Sequence, residues 1–311
     1  MTIGKLAYKY FFKPTLPMRY NLKHFGLMGC LAYRKGEAEM KSAALNLPPI
    51  DLQLQGDTLP ISFLTGRNYW HQTIFCIQSL TKQCGVNFSI KLYSDGSIDK
   101  QTEQYFKAFC PKISIIAEDQ LLDSLNTFIP QNKYPLLHFI RNWSPFFRRM
   151  IDIHCKPEWN IHLDSDMIFT GYPTDLINYA KNKSAFYMEE RDDKCFFSDS
   201  SGILLSKHNI KTIERVNGGV IAYDGNVIDY DALEHVTKIL LDNYFEIGPG
   251  PMEQTLMSHI LSTQSGKPLN PDVYKILYYD EQITTGREAL KHFIFKAKLP
   301  YFSREWKKIP V

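Results

Sequence analysis

The chain has 311 residues, 44% hydrophobic and 14% aromatic, with a net charge of +3. It is long enough for a substantial core, its composition excludes a collagenous or disordered protein, and its charge gives no case for nucleic acid. Six cysteines (Cys30, Cys76, Cys84, Cys110, Cys155, Cys195) without a Cys-x-x-Cys pair exclude a zinc cage and a secreted disulfide framework, which leaves reduced thiols and a cytoplasmic setting.

No stretch reaches the ~18 apolar residues of a spanning helix, and the N-terminus lacks the apolar run of a signal peptide. The charge is uneven. Lys5, Lys9, Lys13, Arg19, Lys23, Arg34, Lys35 and Lys41 face only Glu37 and Glu39, with Tyr8, Tyr10, Phe11, Phe12, Tyr20, Phe25, Leu27 and Met28 between them. Cations mixed with rings suit peripheral contact of residues 1–45 with an anionic membrane. An extension packed on the body fits the same residues. Pro14 and Pro17 interrupt a long helix there. A helical stretch over Glu37–Leu45 and the Pro48-Pro49 linker divide an N-terminal extension, 1–50, from a main domain, 51–311.

Ile61–Thr65 reads as a strand, Gly66-Arg67-Asn68 as a turn, and Tyr69–Thr81 as a helix with Trp70, Ile74, Ile77 and Leu80 at helical spacing. Phe88–Tyr93 is the next strand, ending in Ser94-Asp95-Gly96. A helix over Ile98–Phe109 leads to a third strand, Lys112–Ile116. This alternation predicts an α/β fold, a Rossmann-like, mainly parallel sheet flanked by helices. Ligands of such sheets lie off the carboxyl ends of the strands, so Thr65, Gly66, Arg67 and Asp95 face the expected crevice. Leu136–Cys155 is helical but split by Pro145, and either Arg148 or Arg149 could reach that crevice.

The run Trp159-Asn160-Ile161-His162-Leu163 ends in Asp164-Ser165-Asp166, and apolar residues resume at once. Alternation along a strand puts Asp164 and Asp166 on one side and Ser165 opposite. Two acids so close repel unless a hard divalent cation joins them, and carboxylate oxygen suits Mn²⁺ or Mg²⁺.

Pro173–Ala180 and Ala185–Met188 follow as helix and strand. The polar segment Glu189–Ser201 is a loop expected to face an acceptor. Val216-Asn217-Gly218-Gly219-Val220 carries two glycines in an apolar strand, which marks a bulge or a close approach and a strand edge. Asp231–Phe245 is a helix stopped by Gly248-Pro249-Gly250-Pro251. Glu253-Gln254 opens the Thr255–Leu261 helix, where an acid benefits from the helix dipole. The last pattern, Leu290–Tyr301, holds His292 and Lys298.

In this order the motifs resemble a nucleotide-sugar glycosyltransferase of the GT-A fold, most closely glycosyltransferase family eight, over residues 60–302. The resemblance rests on Leu163-Asp164-Ser165-Asp166, Asn217-Gly218-Gly219-Val220, Glu253-Gln254, and His292-Phe293 with Lys298. It implies metal ligation by Asp164, Asp166 and His292, and donor contacts from Asp164, Ser165, Asp166, Gly219, Arg148 and Lys298. Sugar-side roles fall to Asp166, Asn217, Glu253 and Gln254. The cofactor would be Mn²⁺ or Mg²⁺, the donor a UDP-sugar, and the acceptor a glycan or lipid-linked sugar. Phe295 stands where that family has glycine, and Leu299-Pro300-Tyr301 replaces its Pro-Trp.

Three rivals remain. A haloacid dehalogenase-type phosphohydrolase would use Asp164 as nucleophile, but that class carries its motif near the start of the domain. A nucleotidyltransferase would need a richer glycine loop than Thr65-Gly66-Arg67-Asn68. A non-catalytic, membrane-associated relative of the transferases is the third.

Overall fold

The computed structural model describes residues 16–52, 58–154, 156–191, 203–280 and 286–310. Residues 1–15, Cys155, Cys195 and most of the polar loop, 192–202, lie outside the described residues. The chain opens with a long helix, α1 (Leu16–Leu45). Strands β1 (Thr58–Thr65), β2 (Asn87–Ser94) and β3 (Ser114–Ile116) then alternate with α2 (Trp70–Gln83) and α3 (Lys100–Phe109). Helices α4 (Glu118–Phe128), α5 (Pro135–Trp143) and α6 (Pro145–Arg148), then a π-type turn (Arg149–Ile153), lead to β4 (Trp159–Leu163) and β5 (Met167–Phe169). Next come α7 (Thr174–Lys181), β6 (Phe186–Glu189), α8 (Ile203–His208), β7 (Val216–Asp224), α9 (Tyr230–Asn243) and α10 (Pro249–Thr263). Strands β8 (Lys267–Leu269), β9 (Tyr274–Leu277) and β10 (Leu290–Phe293) and helix α11 (Lys298–Ser303) follow.

Seven strands form the main sheet in the order β3-β2-β1-β4-β7-β6-β8. The four from β3 to β4 are parallel, and β7 runs against both β4 and β6. All five residues of β4 are buried, as expected of an inner strand covered on both faces. Asn160 donates to Ser62 Oγ at 2.8 Å, and His162 Nε2 meets Asp164 Oδ1 at 3.0 Å. One core packs α2, α3 and α7 against the sheet around Ile61, Phe63, Ile161 and Leu163. A second, on the other face, joins α5, α9 and α10 through Leu137, Ile140, Val236 and Leu256. Each such side chain contributes about 1.5–3 kcal/mol by leaving water.

Four expectations are corrected here. The acidic doublet is not inside one strand: β4 stops at Leu163, and β5 belongs to a second sheet, β5-β10-β9. The Asn217-Gly218-Gly219 segment lies in an interior strand, not at an edge. Its bulge is real, since the β6–β7 register jumps from Met188↔Asn217 to Tyr187↔Ile221. Gly248-Pro249-Gly250-Pro251 does more than stop α9, because α10 begins at Pro249, a position where proline's missing N–H costs nothing. Glu253 is therefore fully buried inside α10 rather than a first-turn surface acid. Finally, α1 starts at Leu16 and bends at Gly26 rather than at Pro17, which falls in its first turn. Met40, Ala44, Leu47 and Leu52 join the main core, so the second half of α1 is part of the body. Among the described residues, no helix is long and apolar enough to cross a membrane.

Candidate active site

The break between β4 and β5 places Asp164, Ser165 and Asp166 in the gap between the two sheets. Strand β10 pairs antiparallel with β5, with His292 opposite Met167, and Phe293 N donates to Asp166 O at 3.0 Å. That register delivers a histidine from the far end of the chain to the doublet. His292 Nε2 lies 3.1 Å from Asp166 Oδ1 and 3.7 Å from Asp164 Oδ2. One ligand atom from each of the three lies within 4.8 Å of the others. Both ring nitrogens of His292 are buried without a hydrogen-bond partner. Two carboxylates and an uncommitted imidazole are a fitting donor set for a divalent cation.

The glycine pair makes this approach possible. A Cβ on Gly219 would lie 2.7 Å from His292 Nδ1, and one on Gly218 would lie 2.8 Å from an Arg149 terminal nitrogen. Two side chains, not a ligand, thus fill the space that the glycines leave. Asn217 braces the bulge by accepting from Gly219 N at 2.8 Å and donating to Glu190 at 2.8 Å.

Arg149 is the charge at the centre of the site. Its Nε and one terminal nitrogen donate to Glu253 at 2.7 and 3.0 Å, and the other donates to both Asp164 oxygens at 3.1 and 2.9 Å. Burial works against every charge here. For Asp164 it is outweighed by Arg149 and His162, which hold the carboxyl far below the usual range. For Asp166 it is outweighed by Lys298 and His292, which likewise hold the carboxyl down. Burial pushes the Glu253 carboxyl up, against the pull of Arg149. The lysine reaches Asp166 Oδ2, and its Nζ also lies 3.3 Å from Gln72 Oε1.

Leu64, Gln72, Arg149, Asp164, Asp166 and Lys298 wall a cleft of about 380 Å³ together with the exposed rings of Tyr69 and Phe146, a size that suits a small polar ligand. Gln254 sits one residue beyond Glu253, and its side-chain oxygen is buried without a partner.

Several residues expected at the site serve elsewhere. Arg148 is a correction: it donates to Asp152 at 2.8 Å and to Ser94 O at 2.9 Å, and it pairs with Glu118. Arg141 closes the same network through Asp152. Both arginines are helical, and neighbours on a helix point about 100° apart, so only one of the two turns to the cleft. Thr65 is buried, its hydroxyl 2.7 Å from Thr73, which in turn lies 2.8 Å from Ser165. This relay ties β1 and α2 to the doublet. Gly66 abuts the Asp95 carboxylate, which accepts from Ser97 N at 2.8 Å. Arg67 is exposed, its backbone held by Ser97 Oγ at 2.9 Å. On this side the cleft is walled instead by Leu64, Tyr69 and Gln72. An aromatic just after the first strand's turn was the available signal for Tyr69.

No protein-family model matches the sequence, and no curated protein matches it. Solved structures do. The chain is similar to mouse xyloside xylosyltransferase 1 in its apo form, with TM-score 0.50 and 13% identity over 78% of this chain and 97% of that one. It is also similar to the WbbM bifunctional glycosyltransferase, with TM-score 0.46 and 12% identity over 83% of this chain and 51% of that one. A third is the galactosyltransferase LgtC solved with donor and acceptor sugar analogues, with TM-score 0.47 and 11% identity over 75% of this chain and 86% of that one. The chain thus spans about half the length of WbbM. What the xylosyltransferase likeness shows is the fold: a GT-A arrangement, with the mainly parallel sheet and flanking helices described above.

Proposed function

Starting from a GT-A fold, we propose that this chain is a metal-dependent glycosyltransferase that moves a sugar from a UDP-sugar to a glycan or lipid-linked acceptor. The observation that carries the reading is the cluster of Asp164, Asp166 and His292, bordered by Lys298 and Arg149 in one cleft. A divalent cation held by these three, Mn²⁺ or Mg²⁺, would offset charge gathering on a departing diphosphate.

The chain's own residues supply the rest. Lys298 stands beside Asp166 and adds positive charge where the phosphates would lie. Glu253 and Arg149 form a buried pair, so Glu253 is a positioning residue that aims Arg149 at Asp164. The partnerless oxygen of Gln254 is free to accept a hydrogen bond from a donor sugar hydroxyl or to face positive charge at the anomeric carbon. Asn217 acts by fixing the backbone under Gly219. The exposed ring of Tyr69 offers a stacking face for the nucleobase. The exposed ring of Phe146, also at the cleft, offers an apolar face to an acceptor sugar. The cysteines described are unpaired, which suits a reducing, cytoplasmic compartment.

Asp164 is poorly set up as a phosphohydrolase nucleophile, since Arg149 and His162 hold its oxygens. Purified protein incubated with UDP-glucose or UDP-galactose and Mn²⁺ should release UDP, and EDTA or Asp166→Asn should stop it. Phosphate release from p-nitrophenyl phosphate, with no UDP release from any UDP-sugar tried, would overturn the reading.

A further inference from the structure

Helix α1 bends at Gly26, where φ is +65°, and beyond the bend its two faces differ. Gly29, Tyr33, Gly36, Met40 and Ala44 recur at helical spacing and turn toward the body. Tyr33 rests on the Phe302 ring at 4.7 Å, and a Cβ on Gly36 would overlap the Phe302 carbonyl. The opposite face carries Leu27, Met28 and Leu31, which are 67%, 76% and 53% exposed. The same stripe continues into the exposed Arg34 and Lys35, and before the bend come the exposed Leu22 and Lys23. Residues 16–36 hold four basic side chains and no acid.

The C-terminal segment extends this surface. Tyr279 stands close enough to Tyr20 to help burial push that phenol up, and Lys296 lies over the Tyr279 ring at 5.5 Å. Next to Lys296, Phe295 is 51% exposed, yet its backbone takes φ +46°. That conformation disfavours any residue with a side chain, and least suits a bulky one. The ring stacks on Tyr278 at 6.2 Å while its other side stays in water, an apolar surface held in place at some backbone strain.

We propose that this face, formed by Leu22, Leu27, Met28 and Leu31 with Tyr279 and Phe295, docks on an anionic phospholipid surface. Apolar side chains rimmed mainly by cations, with Glu39 beside Lys35 and Asp280 paired to Arg304, match a bilayer boundary, where chains enter the acyl region and lysines stay at the headgroups. A second copy of this chain would instead set like charges against each other. The body-facing side of the helix packs near the cleft: a Cβ on Gly29 would lie 3.5 Å from Leu299, the neighbour of Lys298. Docking is independent of the transferase reading.

Co-sedimentation of the full chain with phosphatidylglycerol/phosphatidylcholine vesicles, compared with phosphatidylcholine alone, tests this without any sugar donor. Binding should need the anionic lipid and weaken as salt is raised. The triple variant Leu27→Glu, Met28→Glu, Leu31→Glu should bind roughly tenfold or more weakly, with an unchanged melting temperature and unchanged UDP release in solution. Lys23→Glu with Lys35→Glu, which leaves the apolar stripe intact, should lose the preference for anionic vesicles. Equal sedimentation of wild type and both variants would overturn the proposal. So would a self-associated species that the triple variant disperses, since the face would then belong to a second copy.

Discussion

Gly219 and His292 touch in a way that only a missing side chain permits: a Cβ at 219 would fall 2.7 Å from the Nδ1 of His292. The imidazole therefore reaches Asp164 and Asp166 because β7 carries no side chain at that point. Gly219→Ala should push His292 off the two carboxylates, at a folding cost of about 1–3 kcal/mol for the overpacking. Mn²⁺ should then no longer raise the melting temperature, although far-ultraviolet circular dichroism still reports a folded protein. An unchanged Mn²⁺-dependent shift would remove His292 from the ligand set.

Alternation of strand-like and helix-like segments made the parallel half of the sheet legible, because strands joined through helices lie parallel in one sheet. The three candidate ligands were legible as residue types, but their meeting was not. It depends on β10 pairing with β5 across more than a hundred residues, and pairing at that range leaves no local trace. The choice between Arg148 and Arg149 turns on which face of the helix meets the cleft, since adjacent helical side chains point about 100° apart. Glu253 read as a first-turn helix acid because α10 begins earlier than the glycines and prolines before it suggested. The bend of α1 follows the same pattern: Gly26 has an ordinary sequence context, and its positive φ emerges only when the later half of the helix settles on α11.

The carboxylate pair should make the protein sensitive to its cation. Without one, Asp164 and Asp166 rely on Arg149, Lys298 and the histidines for compensation. Added Mn²⁺ or Mg²⁺ should raise the melting temperature in wild type and not in Asp166→Asn. UDP release should fall by about 10²–10³-fold in that variant, the scale for losing one well-placed electrostatic partner. Calorimetric titration of Mn²⁺ into both proteins checks the binding half separately from turnover.

Arg148 and Arg149 should part company on mutation. Removing Arg148 strips a partner from Asp152, which is fully buried, and breaking such a pair costs about 3–5 kcal/mol. Because Arg141 still bonds Asp152, Arg148→Ala is expected near the low end, with the turnover of folded molecules largely kept. Arg149→Met should instead lower kcat/KM for UDP release by roughly a hundredfold and also destabilise the fold by leaving Glu253 unpaired. Urea melts and steady-state rates on the two variants distinguish these outcomes, and equal activity losses would mean that both arginines serve the donor.

His71 predicts a pH dependence that has nothing to do with the metal. It sits fully buried in α2, between the rings of Trp70 and Phe302. Glu37 approaches to 3.8 Å from α1. Burial, with Lys41 and Lys298 nearby, pulls its pKa from 6.5 down to about 3. The folded chain thus keeps this ring neutral where the unfolded chain would protonate it. The contribution is fully present above pH 6.5 and lost as pH falls toward 3, because the unfolded state binds the extra proton in that window. The slope from one such group is at most about 1.4 kcal/mol per pH unit. Carboxylates with lowered pKa values add to the acid loss, so the informative quantity is a difference between proteins. His71→Phe keeps a ring among Trp70 and Phe302 and removes the titration. Its stability from urea melts, subtracted from that of wild type, should change steadily between neutral pH and pH 4 in favour of the variant. A difference that stays flat across that range would show that His71 takes up its proton in the folded protein at close to its ordinary pKa.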